Sequence, residues 1–296
     1  DILEGAKLIS FEEGLEKGLI EYVGDDCKEA LYDAIKARSV RPGLCKTAGL
    51  KLVYSPLNGS GLVPVMRILN DIGIDDITIV PEQQYPDGNF PTCPYPNPEI
   101  FEALRLGLEL AEKEGADLML ATDPDADRVG MACKNDKGEW VLVNGNQTAL
   151  IFLYYIIKNR IATGKMQPTD FCVKTIVTTE LIKAVADKNN IEMRDCYTGF
   201  KWIADIVKKN EGKTTFVCGG EESYGFNVGE FVRDKDAPIT CAMVAECAAW
   251  AASQGKTLYQ LLQDIYAEFG YYKESLISVT KKGKAGLEEI AAMMVD

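Results

Sequence analysis

The chain has 296 residues, 47% of them hydrophobic and 26% charged, which is enough for two globular domains with buried cores. Its 32 basic and 45 acidic side chains give a formal net charge of −13, which repels nucleic acid and anionic membranes, so we expect neither as a partner. The sequence contains no histidine, which excludes every mechanism that needs an imidazole and every zinc site with a histidine ligand.

Hydrophobic periodicity divides the chain into two successive cycles of strands and helices. In the first cycle, the loop between residues 81 and 98 holds six of the 12 prolines, and a loop of that length inside a compact domain is usually functional. The elements predicted for this cycle are helical segments within 11–40, helices at 62–71 and 97–115, strands at 50–54, 77–80 and 118–121, and a hairpin at 129–133 and 140–143.

The second cycle repeats the alternation of strands and helices. Its predicted elements are helices at 147–159, 179–189, 200–209, 237–253 and 258–269, strands at 171–177 and 214–218, and a loop at 219–229. Strands that alternate with helices favour parallel pairing with helical crossovers. We therefore predict an α/β fold of two consecutive α/β domains with mostly parallel sheets, joined near residue 145.

The cysteines indicate a reducing compartment. There are nine of them, an odd number without a C-x-x-C pair, so they do not form a pattern typical of a disulfide framework. The first residues contain acidic side chains and no apolar stretch of signal-peptide length, and the longest apolar run, near 149–157, is too short for a membrane span. These features predict a cytoplasmic protein.

The strongest functional signal is an acidic loop directly after the strand predicted at 118–121. Asp123, Asp125 and Asp127 alternate there, so in an extended loop their carboxylates point the same way and can bind Mg²⁺ or Mn²⁺, and Arg128 beside them suits a phosphate. A calcium loop of the EF-hand type is excluded, because Arg128 occupies its glycine position and Lys134 its terminal glutamate position. A solvated acidic turn remains the alternative.

A second signal is the glycine-rich segment 218–225, which also follows a predicted buried strand. Its glycines allow close approach to a ligand, and Glu221 and Ser223 stand two residues apart, so both side chains can reach the hydroxyl groups of a polyol such as a sugar. A polar turn between a strand and a hairpin would have the same composition. The segment alone does not separate the two interpretations.

Two further segments carry charges that suit an anion. Thr198, Gly199 and Lys201 lie at the predicted start of a helix, where backbone N–H groups and a lysine can bind an anion, although ordinary helix capping explains the same residues. Lys235 belongs to the charged run 233–236, which is a solvated face unless the lysine turns toward the same cleft.

Together and in this order, these segments resemble the α-D-phosphohexomutase family, the phosphoglucomutases and phosphomannomutases. The matching segments are Y-S-P-L-N-G-S-G at 54–61, the stretch 90–99, D-P-D-A-D-R at 123–128, T-G-F-K-W-I at 198–203, G-E-E-S-Y-G at 220–225 and R-D-K-D at 233–236. The resemblance implies that residues 1–144 are similar to the second of four domains and residues 145–272 to the third. Residues 273–296 then correspond to a linker toward a missing fourth domain.

The resemblance also implies a reaction and a role for each candidate residue. Members of the family interconvert hexose 1-phosphate and hexose 6-phosphate through a phosphoserine and a bisphosphorylated sugar, with glucose or mannose phosphate as substrate. The implied roles are Mg²⁺ ligation by Asp123, Asp125 and Asp127, phosphate chemistry by Arg128 and Lys235, and substrate binding by Thr198, Gly199, Lys201, Glu221 and Ser223.

The chain departs from the family pattern in what it omits. The phosphoserine loop T-A-S-H-N-P of the first domain and the phosphate clamp R-x-S-G-T-E-P of the fourth are both absent from the sequence. The resemblance therefore implies a central fragment whose partners are the missing first and fourth domains of the same polypeptide. We expect such a fragment to be an inactive part of an intramolecular phosphotransferase.

Two alternatives remain open from the sequence. A strand followed by D-x-D also begins phosphatases similar to haloacid dehalogenases, in which Asp123 would be the nucleophile. Those enzymes prefer threonine or valine at the position of Asp127 and carry the motif on their first strand. The other alternative is a non-enzymatic module that binds a sugar phosphate or a metal.

Overall fold

The computed structural model describes residue 5 and residues 8–275, 277 and 279–294. Its helices are α1 (Phe11–Glu16), α2 (Asp25–Lys36), α3 (Leu44–Ala48), α4 (Leu62–Ile72), α5 (Phe101–Glu114), α6 (Gly145–Ala162), α7 (Glu180–Lys188), α8 (Phe200–Asn210), α9 (Ala237–Ser253), α10 (Leu258–Phe269) and α11 (Gly283–Met293). Its strands are β1 (Lys51–Ser55), β2 (Asp76–Ile79), β3 (Leu118–Thr122), β4 (Val129–Lys134), β5 (Trp140–Val143), β6 (Asp170–Thr175), β7 (Glu192–Cys196), β8 (Thr215–Gly220) and β9 (Phe226–Val228).

The first sheet has the strand order β2-β1-β3-β4-β5. Strands β2, β1 and β3 run parallel, and β4 and β5 continue the sheet antiparallel as the predicted hairpin. All five residues of β3 are buried, as expected for a strand of continuous apolar residues inside a parallel sheet covered on both faces. The acidic loop follows β3 directly and therefore lies at the carboxyl edge of the sheet.

The second sheet has the order β7-β6-β8-β9 and repeats the pattern of the first. Strands β7, β6 and β8 are parallel and β9 is antiparallel to β8. The prediction of two consecutive α/β domains is confirmed, with mixed sheets whose parallel strands β1, β3, β6 and β8 are almost wholly buried. In both sheets the loop with the candidate site residues follows the third parallel strand, at the edge where open α/β sheets place ligands.

Several elements differ from the sequence prediction. The prediction missed strand β7, because the sequence of this edge strand is mostly charged and only partly buried, and it missed β9, which is only three residues long. Helix α5 begins at Phe101 rather than near Asn97, whose side-chain oxygen instead accepts a hydrogen bond from the Glu99 N–H at 2.9 Å. The short helix α3 was also missed, because five residues are too few for a helical period.

The predicted linker over 273–296 contains helix α11. Residues 276, 278, 295 and 296 of that linker lie outside the described residues, as do residues 1–4, 6 and 7 of the first predicted domain. None of the helices in the described part of the chain combines the length and the hydropathy that crossing a bilayer requires.

A single apolar core connects the two sheets. Helix α9 packs against α3 and α4 of the first half and against β9 of the second, and its apolar residues belong to one cluster that includes Ile35, Leu52 and Ile265. Glu246 of α9 is buried in this core and accepts hydrogen bonds from the backbone N–H groups of Val40 at 2.8 Å and Arg41 at 3.0 Å. Helix α9 therefore links the segment between α2 and α3 to the second half of the molecule.

Candidate active site

The acidic loop after β3 folds into a tight turn that gathers three carboxylates. Oxygen atoms of Asp123, Asp125 and Asp127 all lie within 4.8 Å of one another. The turn is closed by a hydrogen bond from the Ala126 N–H to the Asp123 carbonyl at 3.0 Å, and Ala126 has a left-handed φ of 58°. The predicted convergence of the aspartates thus arises from a turn, not from the alternation of side chains in an extended loop.

The electrostatics of this cluster centre on Asp123. The pKa of Asp123 is raised to about 7, chiefly by burial and also by the neighbouring Asp127 and Asp125 carboxylates, against the effect of backbone hydrogen bonds. Those bonds come from the N–H groups of Arg128 at 2.9 Å and Asp127 at 3.0 Å. An oxygen-only cluster of mutually repelling carboxylates fits a hard divalent cation such as Mg²⁺.

Two cations border the carboxylates. The Arg128 guanidinium donates to Glu99 Oε1 at 3.0 Å, and its Nε lies 3.7 Å from Asp127 Oδ1. Lys235 reaches the cluster from the loop before α9, with its Nζ 2.9 Å from Asp127 Oδ2. Burial lowers the pKa of Lys235, but the hydrogen bond and the charge of Asp127 outweigh it and leave the pKa raised. Both groups are thus held beside the carboxylates by ion pairs within the protein.

The glycine-rich loop after β8 meets the acidic loop directly. Arg128 and Gly225 form an antiparallel bridge, in which the Val129 N–H donates to the Tyr224 carbonyl at 3.1 Å. The Ala237 N–H, at the start of α9, donates to the Ala126 carbonyl at 3.1 Å. The two loops, which lie about a hundred residues apart in the sequence, therefore open onto one region.

Within the second loop, Glu221 connects to the start of α8. Glu221 is buried, and its Oε1 accepts a hydrogen bond from the Gly199 N–H at 2.8 Å. A carboxylate of the protein thus occupies the helix N-terminus where the sequence suggested an anion. Ser223 lies in the same turn and is half-buried, whereas Thr198 and Lys201 are exposed, with Lys201 Nζ 5.4 Å from the centre of the Trp202 ring.

The acidic loop is supported by residues to which the sequence analysis assigned no role in the site. The Ser60 N–H donates to the Pro124 carbonyl at 2.8 Å, and a Cβ at Gly59 would overlap the Pro124 backbone. Glu99 holds the Arg128 guanidinium, although the sequence indicated only a helix cap at that point. No periodicity could have revealed these contacts, because each joins segments far apart in the chain.

The second loop has its own supports. Glu222 Oε2 accepts hydrogen bonds from the hydroxyl groups of Thr175 and Thr178, each at 3.0 Å. A Cβ at Gly145, the first residue of α6, would overlap the Glu222 carbonyl. The loop is therefore held between the end of β6 and the start of α6.

Comparison with known proteins identifies the family. The family model described as "Phosphoglucomutase/phosphomannomutase, alpha/beta/alpha domain II" matches residues 29–138, and the model of the corresponding domain III matches residues 144–269. A phosphoglucomutase of Staphylococcus saprophyticus is 32% identical over 286 residues, which are 96% of this chain and 51% of that protein. The chain thus spans about half the length of the curated relatives it matches.

Solved structures show the same fold. A Thermus thermophilus protein assigned as a phosphomannomutase superposes with a TM-score of 0.66 and 25% identity, over 82% of this chain and 51% of that one. The N-acetylphosphoglucosamine mutase of Aspergillus fumigatus, solved with GlcNAc-6P and magnesium, superposes with a TM-score of 0.52 and 15% identity, over 81% of this chain and 53% of that one.

The fold is that of the α/β/α domains of phosphoglucomutases and phosphomannomutases. The chain belongs to the phosphoglucomutase/phosphomannomutase family, of which it contains the second and third α/β/α domains. The resemblance stated from the sequence motifs is confirmed.

Proposed function

We propose that the chain carries the metal-binding and sugar-binding domains of a hexose-phosphate mutase that moves a phosphoryl group between the C1 and C6 hydroxyls. One observation carries this proposal: Lys235, from the half with the glycine-rich loop, lies 2.9 Å from Asp127 in the acidic loop. A phosphate bound beside the carboxylates would then be within reach of the loop that contacts the sugar. The substrate would be glucose or mannose phosphate.

In this proposal, Asp123, Asp125 and Asp127 would hold Mg²⁺, which would supply charge neutralisation to the transferring phosphoryl group. Arg128 and Lys235 would bind the equatorial phosphate oxygens and keep the group in line with the attacking hydroxyl.

Sugar recognition is assigned to the second loop. Glu221 would accept hydrogen bonds from the sugar hydroxyl groups, and Ser223 would both donate to them and accept from them. Thr198, Gly199 and Lys201 would line the substrate side of the cleft at the start of α8. The hydrogen bond between Gly199 and Glu221 supports this grouping, because it fixes the two segments against each other.

For the domain organisation, we propose units at 1–144 and 145–272 and a linker at 273–296. The boundary is supported by a capping box at the start of α6, where Asn144 and Gln147 exchange side-chain and backbone hydrogen bonds. The first and fourth domains of the same polypeptide would be the partners of this chain. The nine cysteines are free thiols, which supports the prediction of a reducing, cytoplasmic location.

The proposal is tested with two proteins: this chain and the protein encoded by the full reading frame. In a coupled assay for glucose 6-phosphate formed from glucose 1-phosphate, we expect turnover by the full protein and none by the chain alone. Lys235→Ala in the full protein is expected to lower kcat/KM strongly, and Lys137→Ala, an exposed lysine in the β4–β5 turn, to leave it unchanged.

Two results would contradict the proposal. Mutase turnover by the isolated chain would show that the missing domains are dispensable. An aspartyl-phosphate trapped on Asp123 would instead support the alternative phosphatase that is similar to haloacid dehalogenases.

A further inference from the structure

A cavity of about 190 Å³ lies between the two halves of the molecule, at the opposite end of β8 from the candidate active site. The glycine-rich loop follows the carboxyl end of β8, whereas this cavity borders Thr215, at its amino end. Its other walls are the turn after α2, the last turns of α6 and the end of β9. The cavity is therefore a separate site.

Three basic side chains line this cavity: Arg38, Arg160 and Lys165. In the part of the chain that the structure describes, Arg38 and Lys165 have no carboxylate oxygen within 4.0 Å. The guanidinium of Arg38 is oriented by the ring of Phe231, whose centre is 5.6 Å from Cζ. Lys165 Nζ donates to the Val40 carbonyl at 3.1 Å, which directs the ammonium toward the turn after α2.

Arg160 contributes an unused donor. Its Nη2 is paired with Asp170 Oδ2 at 3.0 Å, but its buried Nε has no hydrogen-bond partner among the described residues. A buried guanidinium N–H without an acceptor is costly, so an acceptor from a bound molecule would stabilise it. Arginine side chains are well suited to phosphate oxygens.

Three carboxylates lie near the cavity, and none of them forms an ion pair with Arg38 or Lys165. Asp170 compensates Arg160, while Glu246 accepts from backbone N–H groups and Glu230 from the Phe216 N–H at 2.8 Å. Arg38 and Lys165 therefore remain without an ion-pair partner within 4.0 Å among the described residues.

We infer that this cavity binds a small phosphate-bearing anion between Arg38, Arg160 and Lys165. Its volume is below the about 300 Å³ at which pockets for drug-sized ligands begin, so it suits inorganic phosphate or a small phosphate monoester rather than a nucleotide. The anion would join the turn after α2 to the end of α6, and thus connect the two halves far from the acidic loop.

The inference is tested by titrating the chain with inorganic phosphate in EDTA, against chloride at equal ionic strength, and following backbone amide signals by NMR. We expect saturable shifts at Val40, Thr215 and Gly229. The double variant R38A/K165A is expected to weaken binding at these amides by about tenfold or more, and R38K/K165R to retain most of it. Arg160 is left intact because it also pairs with buried Asp170.

Lys137→Ala is the matched control, since it removes one positive charge from an exposed turn away from both sites. Lys235→Ala distinguishes phosphate bound at the acidic loop from phosphate bound in the cavity. We expect this variant to leave the shifts at Val40 and Gly229 unchanged. The inference is overturned if phosphate shifts only the amides near residues 123–128. It is also overturned if Lys137→Ala weakens binding as much as the double variant.

Discussion

The loops that follow β3 and β8 occupy equivalent places in two sheets of the same topology, yet they are stabilised differently. In the loop after β3, the Asp123 carboxylate is bound within its own loop, since it accepts hydrogen bonds from the N–H groups of Asp127 and Arg128. The loop after β8 depends on distant partners, because Glu221 is bound by Gly199 and Glu222 by two threonines after β6. One topology thus supports a locally determined charge cluster and a loop determined by the tertiary structure.

The largest effect is expected on metal binding, which depends on the locally closed loop. Asp123→Ala should abolish Mg²⁺ binding measured by calorimetry, because it removes one of three converging carboxylates. In the unmodified chain, the affinity should fall about tenfold between pH 8 and pH 6, because a proton on Asp123, with a pKa of about 7, competes with the metal.

The same pKa determines the direction in which folding stability changes with pH in the absence of metal. Because folding raises the pKa of Asp123 from 3.8 to about 7, the stability it contributes is present below about pH 3.8 and is lost as the pH rises through about 7. Mg²⁺ should therefore raise the melting temperature more at pH 8 than at pH 6. Asp75→Asn, an exposed acid before β2, is the control, and a pH-independent affinity would refute the role of Asp123.

The second prediction compares the glycines that support each loop. Gly59→Ala pushes against the Pro124 backbone and Gly145→Ala against the Glu222 carbonyl, so each should lower the free energy of unfolding by about 1–3 kcal/mol. Gly59→Ala should also weaken Mg²⁺ binding, whereas Gly145→Ala should leave it within twofold, because Pro124 belongs to the acidic loop and Glu222 does not.

Gly88→Ala is the matched control for both glycine variants. A Cβ at Gly88 would meet no atom within 4 Å, so the free energy of unfolding should change by less than about 1 kcal/mol. Equal loss of Mg²⁺ affinity in Gly59→Ala and Gly145→Ala would show that the two loops are coupled more tightly than their hydrogen bonds indicate.

The difference between the loops also explains what the sequence could predict. The buried strands and long amphipathic helices follow from hydrophobic periodicity, and the convergence of Asp123, Asp125 and Asp127 follows from a short pattern after a buried strand. Strand β7 could not be predicted in this way, because its residues are mostly charged and pair only along the edge of the sheet.

The contacts that support the site could not be predicted from a local sequence pattern, for a related reason. Arg128 and Glu99 are 29 residues apart, and Lys235 is more than a hundred residues from Asp127. Contacts of this kind depend on how α9 and the Pro-rich loop pack on the sheets, and no periodicity encodes that packing. The motif resemblance, in contrast, implied that Lys235 and the acidic loop share one cleft, and Lys235 Nζ lies 2.9 Å from Asp127 Oδ2.

The smallest expected effect is the coupling between the loops through Lys235 and Asp127. A double-mutant cycle with Lys235→Ala and Asp127→Ala, measured by urea unfolding in EDTA, should give a coupling free energy of about 0.5–1 kcal/mol. The side chains of Lys235 and Asp127 are only partly exposed, at 16% and 26%. The exposed pair Lys183 and Asp187 should give less. Saturating Mg²⁺ should reduce the coupling, because the metal then competes for Asp127, and a coupling that grows with Mg²⁺ would place Asp127 outside the metal site.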